Sequence, residues 1–271
     1  MKTSAKILLV IFFVILFLGE LLSGTFKFQL LNYNFWQNAF QKHNTYQSLA
    51  TASKSSFESQ IGKEGGNKND VKILTDLITP ENTKDVLDKN LKNVLSFANG
   101  TSSQINVYVP VDKIPKNLLP KTLNGLKTDM PLQELLTKFN FQDYQNIPLK
   151  EISQFGKVSS NGFIAASLLL IFILFLLFLL IKKGERLISL GIAFILSGSL
   201  TFFVMEVAIG IQKSILSGLP GSTSVVSVFV SIIAPAVISE VVIYWQILGF
   251  ALLILGVVLF FVRKPGYNVS K

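Results

Sequence analysis

The chain has 271 residues, half of them hydrophobic and only 15% charged, with a mean hydropathy of +0.51; a wholly water-soluble globular protein does not keep that balance, so lipid is the solvent for part of it. It contains no cysteine and a single histidine, His43, which excludes disulfides, thiol chemistry and clustered His or Cys metal sites. The formal charge of +9 would suit a nucleic-acid partner only if it were gathered on one face, and it is not.

Residues 25–160 carry sixteen lysines against twelve acidic residues, an ordinary mixed surface with a surplus of four. The other nine basic residues are Lys2, Lys6, Lys182, Lys183, Arg186, Lys213, Arg263, Lys264 and Lys271, and all but Lys213 flank apolar runs. That is the pattern of membrane topology, and no nucleic-acid partner is expected.

The first apolar run, residues 7–22, follows Lys2 and Lys6. A signal peptide shares these features, but Leu21-Leu22-Ser23-Gly24-Thr25 lacks an A-x-A cleavage pattern, so a retained anchor over residues 1–24 is expected.

From Thr25 to Ser160 the composition turns to Asn, Gln, Lys, Ser and Thr with scattered apolar residues. Helices are expected over 34–52, 71–78 and 131–139, and a flexible loop over 62–70 around Gly65-Gly66. His43, inside Gln41-Lys42-His43-Asn44, reads as a solvated surface residue. Thr79-Pro80-Glu81 offers an N-cap followed by proline at the first helical position. Leu87, Leu91, Val94, Leu95 and Ala98 then form one buried stripe, and Asp85–Lys89 and Asp88–Lys92 form i,i+4 pairs on the wet face. Asn99-Gly100 stops this helix. Residues 104–109 alternate as a strand with Ile105, Val107 and Val109 inward, closed by Pro110.

A helix needs about 20 mostly apolar residues to cross the hydrocarbon core. Residues 162–181 and 187–205 satisfy this without a charge, joined by the short turn Lys182-Lys183-Gly184-Glu185-Arg186, and residues 241–262 form the last span. Between them, residues 207–239 read as an amphipathic segment at the outer membrane surface, with Ser224, Ser227 and Ser231 as its polar stripe and Pro235 as the natural break. A fifth span there is the rival, and it would export Arg263 and Lys264 against the charge rule. With both termini and the 182–186 turn cytoplasmic, eight of the nine basic residues lie inside, and residues 25–160 lie outside the cell membrane.

The fold class expected is therefore mainly α, a four-helix transmembrane bundle with a small, mainly helical extracytoplasmic domain containing a minor strand element. Its parts are the anchor 1–24, the outer domain 25–160 and the three-span region 161–271 with its outer segment 207–239. Several pieces together resemble an uncharacterised group of bacterial and archaeal four-span membrane proteins with one extracytoplasmic domain between spans one and two. They are Asn34-Phe35-Trp36 leading to Tyr46, Thr79-Pro80-Glu81 through Phe97-Ala98-Asn99-Gly100, the strand around 105–109, and Leu190-Gly191-Ile192-Ala193-Phe194-Ile195-Leu196-Ser197-Gly198. The resemblance implies a cell-membrane location and brings no assigned activity.

Two sets of residues are candidates for function. Gly191 and Gly198 in the third span, and Gly249 and Gly256 in the fourth, recur after about two helical turns and form smooth stripes for close helix packing, within the bundle or in a homo-oligomer. Glu20, Glu206 and Glu240 are the acidic residues beside the apolar runs on the outer side; gathered near Lys213 they would make an ion or proton site, and otherwise they end spans in headgroup water. Asn99-Gly100-Thr101 fits a glycosylation sequon. No residue spacing marks a catalytic, metal, cofactor or phosphate site, and no cofactor is expected. The residues thus point to a non-enzymatic membrane protein, a cell-envelope sensor, scaffold or partner-binding protein acting through its outer domain on a membrane or envelope protein. The alternative is a transporter or channel subunit using the outer-leaflet glutamates.

Overall fold

The computed structural model describes residues 3–63, 68–115, 126–139, 148–182, 185–218 and 225–262. These residues are mainly helical, and among them four helices are long and apolar enough to cross a membrane: Ser4–Leu30, Leu149–Leu180, Arg186–Ser214 and Phe229–Phe261. The apolar side chains that these helices leave exposed, such as Ile7, Phe172, Ile247 and Phe261, are at home in lipid and would be an aggregation hazard in water.

Helix α1 (Thr3–Thr25) runs into a π-turn, Phe26–Leu30. Helices α2 (Tyr33–Lys42), α3 (Thr45–Lys63), α4 (Lys68–Asp76) and α5 (Pro80–Ala98) follow. Strand β1 (Asn106–Tyr108), a 3₁₀ turn at Val111–Lys113, strand β2 (Asp129–Pro131) and helix α6 (Leu132–Lys138) complete the region between the first two spans. Then come α7 (Leu149–Leu180), α8 (Arg186–Gly218) and α9 (Val225–Phe261).

The chain divides into two compact units: Met1–Lys27 with Ser159–Ser214 and Ile238–Lys271, and Phe28–Val158 with Ile215–Val237. In the first, the membrane unit, α1 packs on α7 and α8 through Val10, Phe13, Leu170, Leu177, Ile181 and Ala193. A second apolar centre joins Leu21, Met205 and Trp245. Polar side chains add ties: Trp245 Nε1 donates to Thr25 Oγ1 at 2.8 Å, and Lys6 pairs with Glu185. At the 182–186 turn, Arg186 Nε donates to the carbonyl of Ile181 at 2.8 Å while its guanidinium lies on the Phe178 ring, a cation answering carbonyls freed at the end of α7.

In the second, the interspan unit, Phe40 is the centre. It is 1% exposed and makes edge-on contacts with Trp36 and Tyr46, and Leu30, Leu87, Leu91, Ile233 and Val237 close around this cluster. The two strands pair antiparallel, with Val107 opposite Met130.

Several local expectations are corrected. The helix expected over 34–52 is two helices, because Asn44 takes a left-handed φ of 52°, a conformation that asparagine tolerates better than most residues. The flexible loop expected over 62–70 is mostly helix: α3 runs through Lys63 and α4 starts at Lys68, leaving residues 64–67 outside the described set. Strand β1 buries Tyr108 more deeply than Val107, which shares its face with buried Met130, so both faces of the strand are covered rather than the one expected. Pro131, expected to start a helix, ends β2 instead.

The second membrane half differs too. Helix α8 continues past Met205 to Gly218, and α9 passes through Pro235 without a break. Proline has no N–H to give the carbonyl four residues back, yet the apolar side chains on both sides of Pro235 hold a helix of about 55 Å at 1.5 Å per residue. Most of 207–239 is therefore the C-terminal part of α8 and the N-terminal part of α9, with residues 219–224 outside the described set.

Candidate functional site

Helix α5 organises the interspan unit. Thr79 Oγ1 accepts from the Asn82 N–H at 3.2 Å, Pro80 occupies the first turn, and Asn99 and Gly100 (φ 72°) end the helix. These local signals fix its length. Its side chains then divide into two polar faces.

On one face Asp88 is buried, 8% exposed, against the expectation that it would pair with Lys92 in water. Tyr46 of α3 donates its hydroxyl to Asp88 Oδ1 at 2.6 Å, and Lys84 pairs with the other oxygen. Lys92 lies instead over the ring of Tyr33. The carboxylate is thus the knot between α2, α3 and α5. Burial first, then the hydrogen bond and negative charge of Asp88, push the Tyr33 phenol up to about 12. The same causes in the same order raise Tyr46 further above the usual tyrosine range.

On the other face Asn90 acts as a substitute strand. Its Oδ1 accepts from the Tyr108 N–H at 2.8 Å and its Nδ2 donates to the Tyr108 carbonyl at 2.9 Å. One turn on, Asn93 Nδ2 donates to the Asn106 carbonyl at 2.8 Å. Strand β1 is therefore paired along both edges, by β2 and by helix side chains, which closes one of the two open edges a two-stranded sheet would otherwise present. Beside this ladder, Asp85 accepts from Lys89, Lys113 and the Tyr108 hydroxyl. Lys89 and then Lys113 hold the Asp85 carboxyl below the usual carboxylate range, and Asp85 in turn raises Lys89. Two lysines on one carboxylate leave a local charge of +1.

Between α3, α4, α5 and the first turns of α9 lies a cavity of about 480 Å³. Its walls are apolar: Leu49 and Phe57 from α3, Leu74 from α4, Leu77 and Ile78 beyond it, Val86 and Leu87 from α5, and Phe229 from α9. Asn82 and Lys113 bring polar atoms together at one place in the lining, where Lys113 Nζ donates to Asn82 Oδ1 at 2.9 Å, and Ser53, Thr83 and Asn90 add others. Size and lining match those of small-molecule sites, which run from about 300 to 1,000 Å³ with few polar groups.

The residues singled out from the sequence fall in the membrane unit. Gly191 faces Gly256 and Gly198 faces Gly249: a Cβ on Gly191 would stand 2.7 Å from the Gly256 carbonyl oxygen. Glu20 accepts from the Ser167 hydroxyl at 2.8 Å. Glu206 and Lys213 are exposed on α8, and Glu240 is half-buried on α9. Among the described residues no three His, Asp or Glu side chains converge to hold a metal ion. His43 is exposed.

Sequence reasoning missed the cavity and the Asp88 knot. The one local sign was Val86 beside the Leu87 stripe, an apolar residue lying off the face that the helix buries in its own core. No protein-family model, curated protein or solved structure matches the chain.

Proposed function

We propose that this is a non-enzymatic membrane protein that works through its interspan domain, on the extracytoplasmic side, as a cell-envelope sensor, scaffold or partner-binding protein. The observation that carries this reading is that the interspan unit folds around its own Phe40 centre yet keeps an apolar cavity of about 480 Å³. A domain that serves only to connect two spans has no need of an apolar recess of that size, whose lining side chains pack better when covered.

The orientation rests on lysine and arginine placement. It is supported by the Lys6–Glu185 pair, which brings the start of α1 to the basic turn between α7 and α8, as a common cytoplasmic face requires. A retained first span is supported by Val10, Phe13 and Leu21, which lie in the apolar centres shared with α7, α8 and α9. Likeness to the four-span group described above belongs to the same proposal and rests on its motif residues alone.

Because the chain has no cysteine, single-cysteine variants test the topology without background. Ser55→Cys in α3 should react with a membrane-impermeant maleimide on intact cells, and Lys182→Cys only after lysis. The opposite pattern refutes the orientation. Affinity capture through the interspan domain in mild detergent should then recover an envelope or membrane protein. Glu20→Gln, Glu206→Gln and Glu240→Gln leave that capture intact under this reading; as a transporter, the protein would lose solute flux in these variants.

A further inference from the structure

We infer that the interspan cavity binds one acyl chain of a single-chain amphiphile with an anionic head, such as a fatty acid, taken from the bilayer. The inference deepens the binding role proposed above and rests on it.

Three observations converge on this ligand class. The first is the lining: Leu49, Phe57, Leu74, Val86 and Phe229 make most of it apolar, with few groups to satisfy a polar ligand body. A hydrocarbon chain is the ligand that loses nothing on entering it. The second is the polar part of that lining. Lys113 lies there, tied to Asn82 and Asp85, and Asp85 is shared with Lys89. An ammonium has three N–H donors and Lys113 uses two on these partners. The pair of lysines exceeds the one carboxylate by a charge, so a carboxylate or phosphate head is attracted to the part of the cavity that polar atoms already mark. The third is supply. Phe229, in the cavity wall, is also the first residue of the membrane-length apolar run Phe229–Phe261. One continuous helix thus carries both a wall residue and the apolar run, which points to the bilayer as the source of the chain.

The largely apolar lining also argues against the other small ligands an envelope domain meets. A sugar or a peptide backbone would bury hydroxyls or amides against leucine and phenylalanine without partners, a loss that such a wall cannot repay.

The test uses the full chain in phosphatidylcholine nanodiscs and palmitic acid carrying a mid-chain diazirine. Irradiation should place adducts on α3, α4 and α5 peptides that contain Leu49, Leu74 or Val86, and excess unlabelled palmitic acid should remove them. Val86→Trp, which fills the cavity, should lower these adducts by about tenfold, one factor of ten in affinity, and leave adducts on the spans unchanged. Lys113→Gln should weaken labelling by the acid and not by the matching fatty alcohol. Should Val86→Trp not fold, the competition with palmitic acid on the unaltered chain decides alone. Adducts confined to the spans, or cavity adducts that survive competition, overturn the inference. If that happens while affinity capture still recovers an envelope partner, the acyl-chain site is wrong and the binding role stands; loss of both refutes the role as well.

Discussion

Gly198 and Gly249 meet backbone to backbone: a Cβ on Gly198 would stand 2.7 Å from the Gly249 carbonyl oxygen. Gly191 meets Gly256 in the same way, seven residues earlier on α8 and seven later on α9, so the contact runs antiparallel along two turns. In lipid, where apolar side chains gain little by leaving their solvent, such close backbone approach is a main source of helix association.

Gly198→Ala should therefore destabilise the membrane unit by about 1–3 kcal/mol, the usual cost of overpacking, because the obstacle is backbone and cannot rotate away. Gly210→Ala on the same helix is the control. Nothing lies within 4 Å of a Cβ there, and replacing glycine by alanine inside a helix favours it by up to about 1 kcal/mol. Thermal unfolding of both variants in one detergent checks the contrast. Equal loss in the two would mean that the glycine contact is not what holds α8 to α9.

Asn90→Ala removes both side-chain hydrogen bonds to Tyr108 and leaves its N–H and carbonyl without their partners on that edge. A loss of about 1–3 kcal/mol is expected for the interspan unit. The specific sign is local: the Tyr108 amide should exchange with deuterium much faster, while amides in α2, protected by the Phe40 centre, change only as global stability changes. Unaltered exchange at Tyr108 would show that β2 alone holds the strand.

The alkaline limb of stability follows from Tyr33 and Tyr46. Their phenols titrate higher in the folded chain than the unfolded value of about 10, with Tyr33 near about 12. The folded state thus holds these protons more tightly. The stabilisation is complete below pH of about 10 and is lost as pH rises through the folded values. Subtracting the tyrosinate absorbance titration of Tyr33→Phe from that of the unaltered chain isolates Tyr33, and its midpoint should fall near about 12. A midpoint at the ordinary tyrosine value would mean that neither burial nor Asp88 bears on this phenol. At the acid end the sign reverses. Asp85 is held below its unfolded value by Lys89 and Lys113, so its contribution is present above about pH 4 and is lost as pH falls further. Being at a half-exposed site, that contribution is small.

The spans were legible because about 20 apolar residues in a row is a property of one dimension, independent of what the rest of the chain does. The ends of α5 were legible for a similar reason, since Thr79, Pro80 and Gly100 act within four residues of themselves. Asp88 was not: its i,i+4 partner Lys92 looked adequate until α3 brought Tyr46 from 42 residues away. Tyr108 shows the limit of alternation, which assigns residues to two faces without saying which face meets α5. Pro235 does not break α9, because one missing hydrogen bond does not outweigh the burial of Ala236 and Val237 beside it. Beyond Val86, the cavity leaves no mark in the sequence. It exists because α3, α4, α5 and α9 do not quite close on each other.

Trp245 and Thr25 provide a measure of what polar contacts contribute inside the membrane unit. The indole N–H donates to Thr25 Oγ1 at 2.8 Å, and that hydroxyl donates to the Leu21 carbonyl at 2.8 Å, so α9 is tied through threonine to the backbone of α1. A double-mutant cycle of Trp245→Phe and Thr25→Val should yield a coupling of about 0.6 kcal/mol, the average for interhelical hydrogen bonds in membranes. Trp245→Phe alone should cost more, because the smaller ring also empties space beside Leu21 and Met205. The cycle separates the two effects, since the packing loss is common to both backgrounds and cancels. A coupling of zero would mean that apolar packing alone joins α9 to the first span, and that the threonine serves only its own helix.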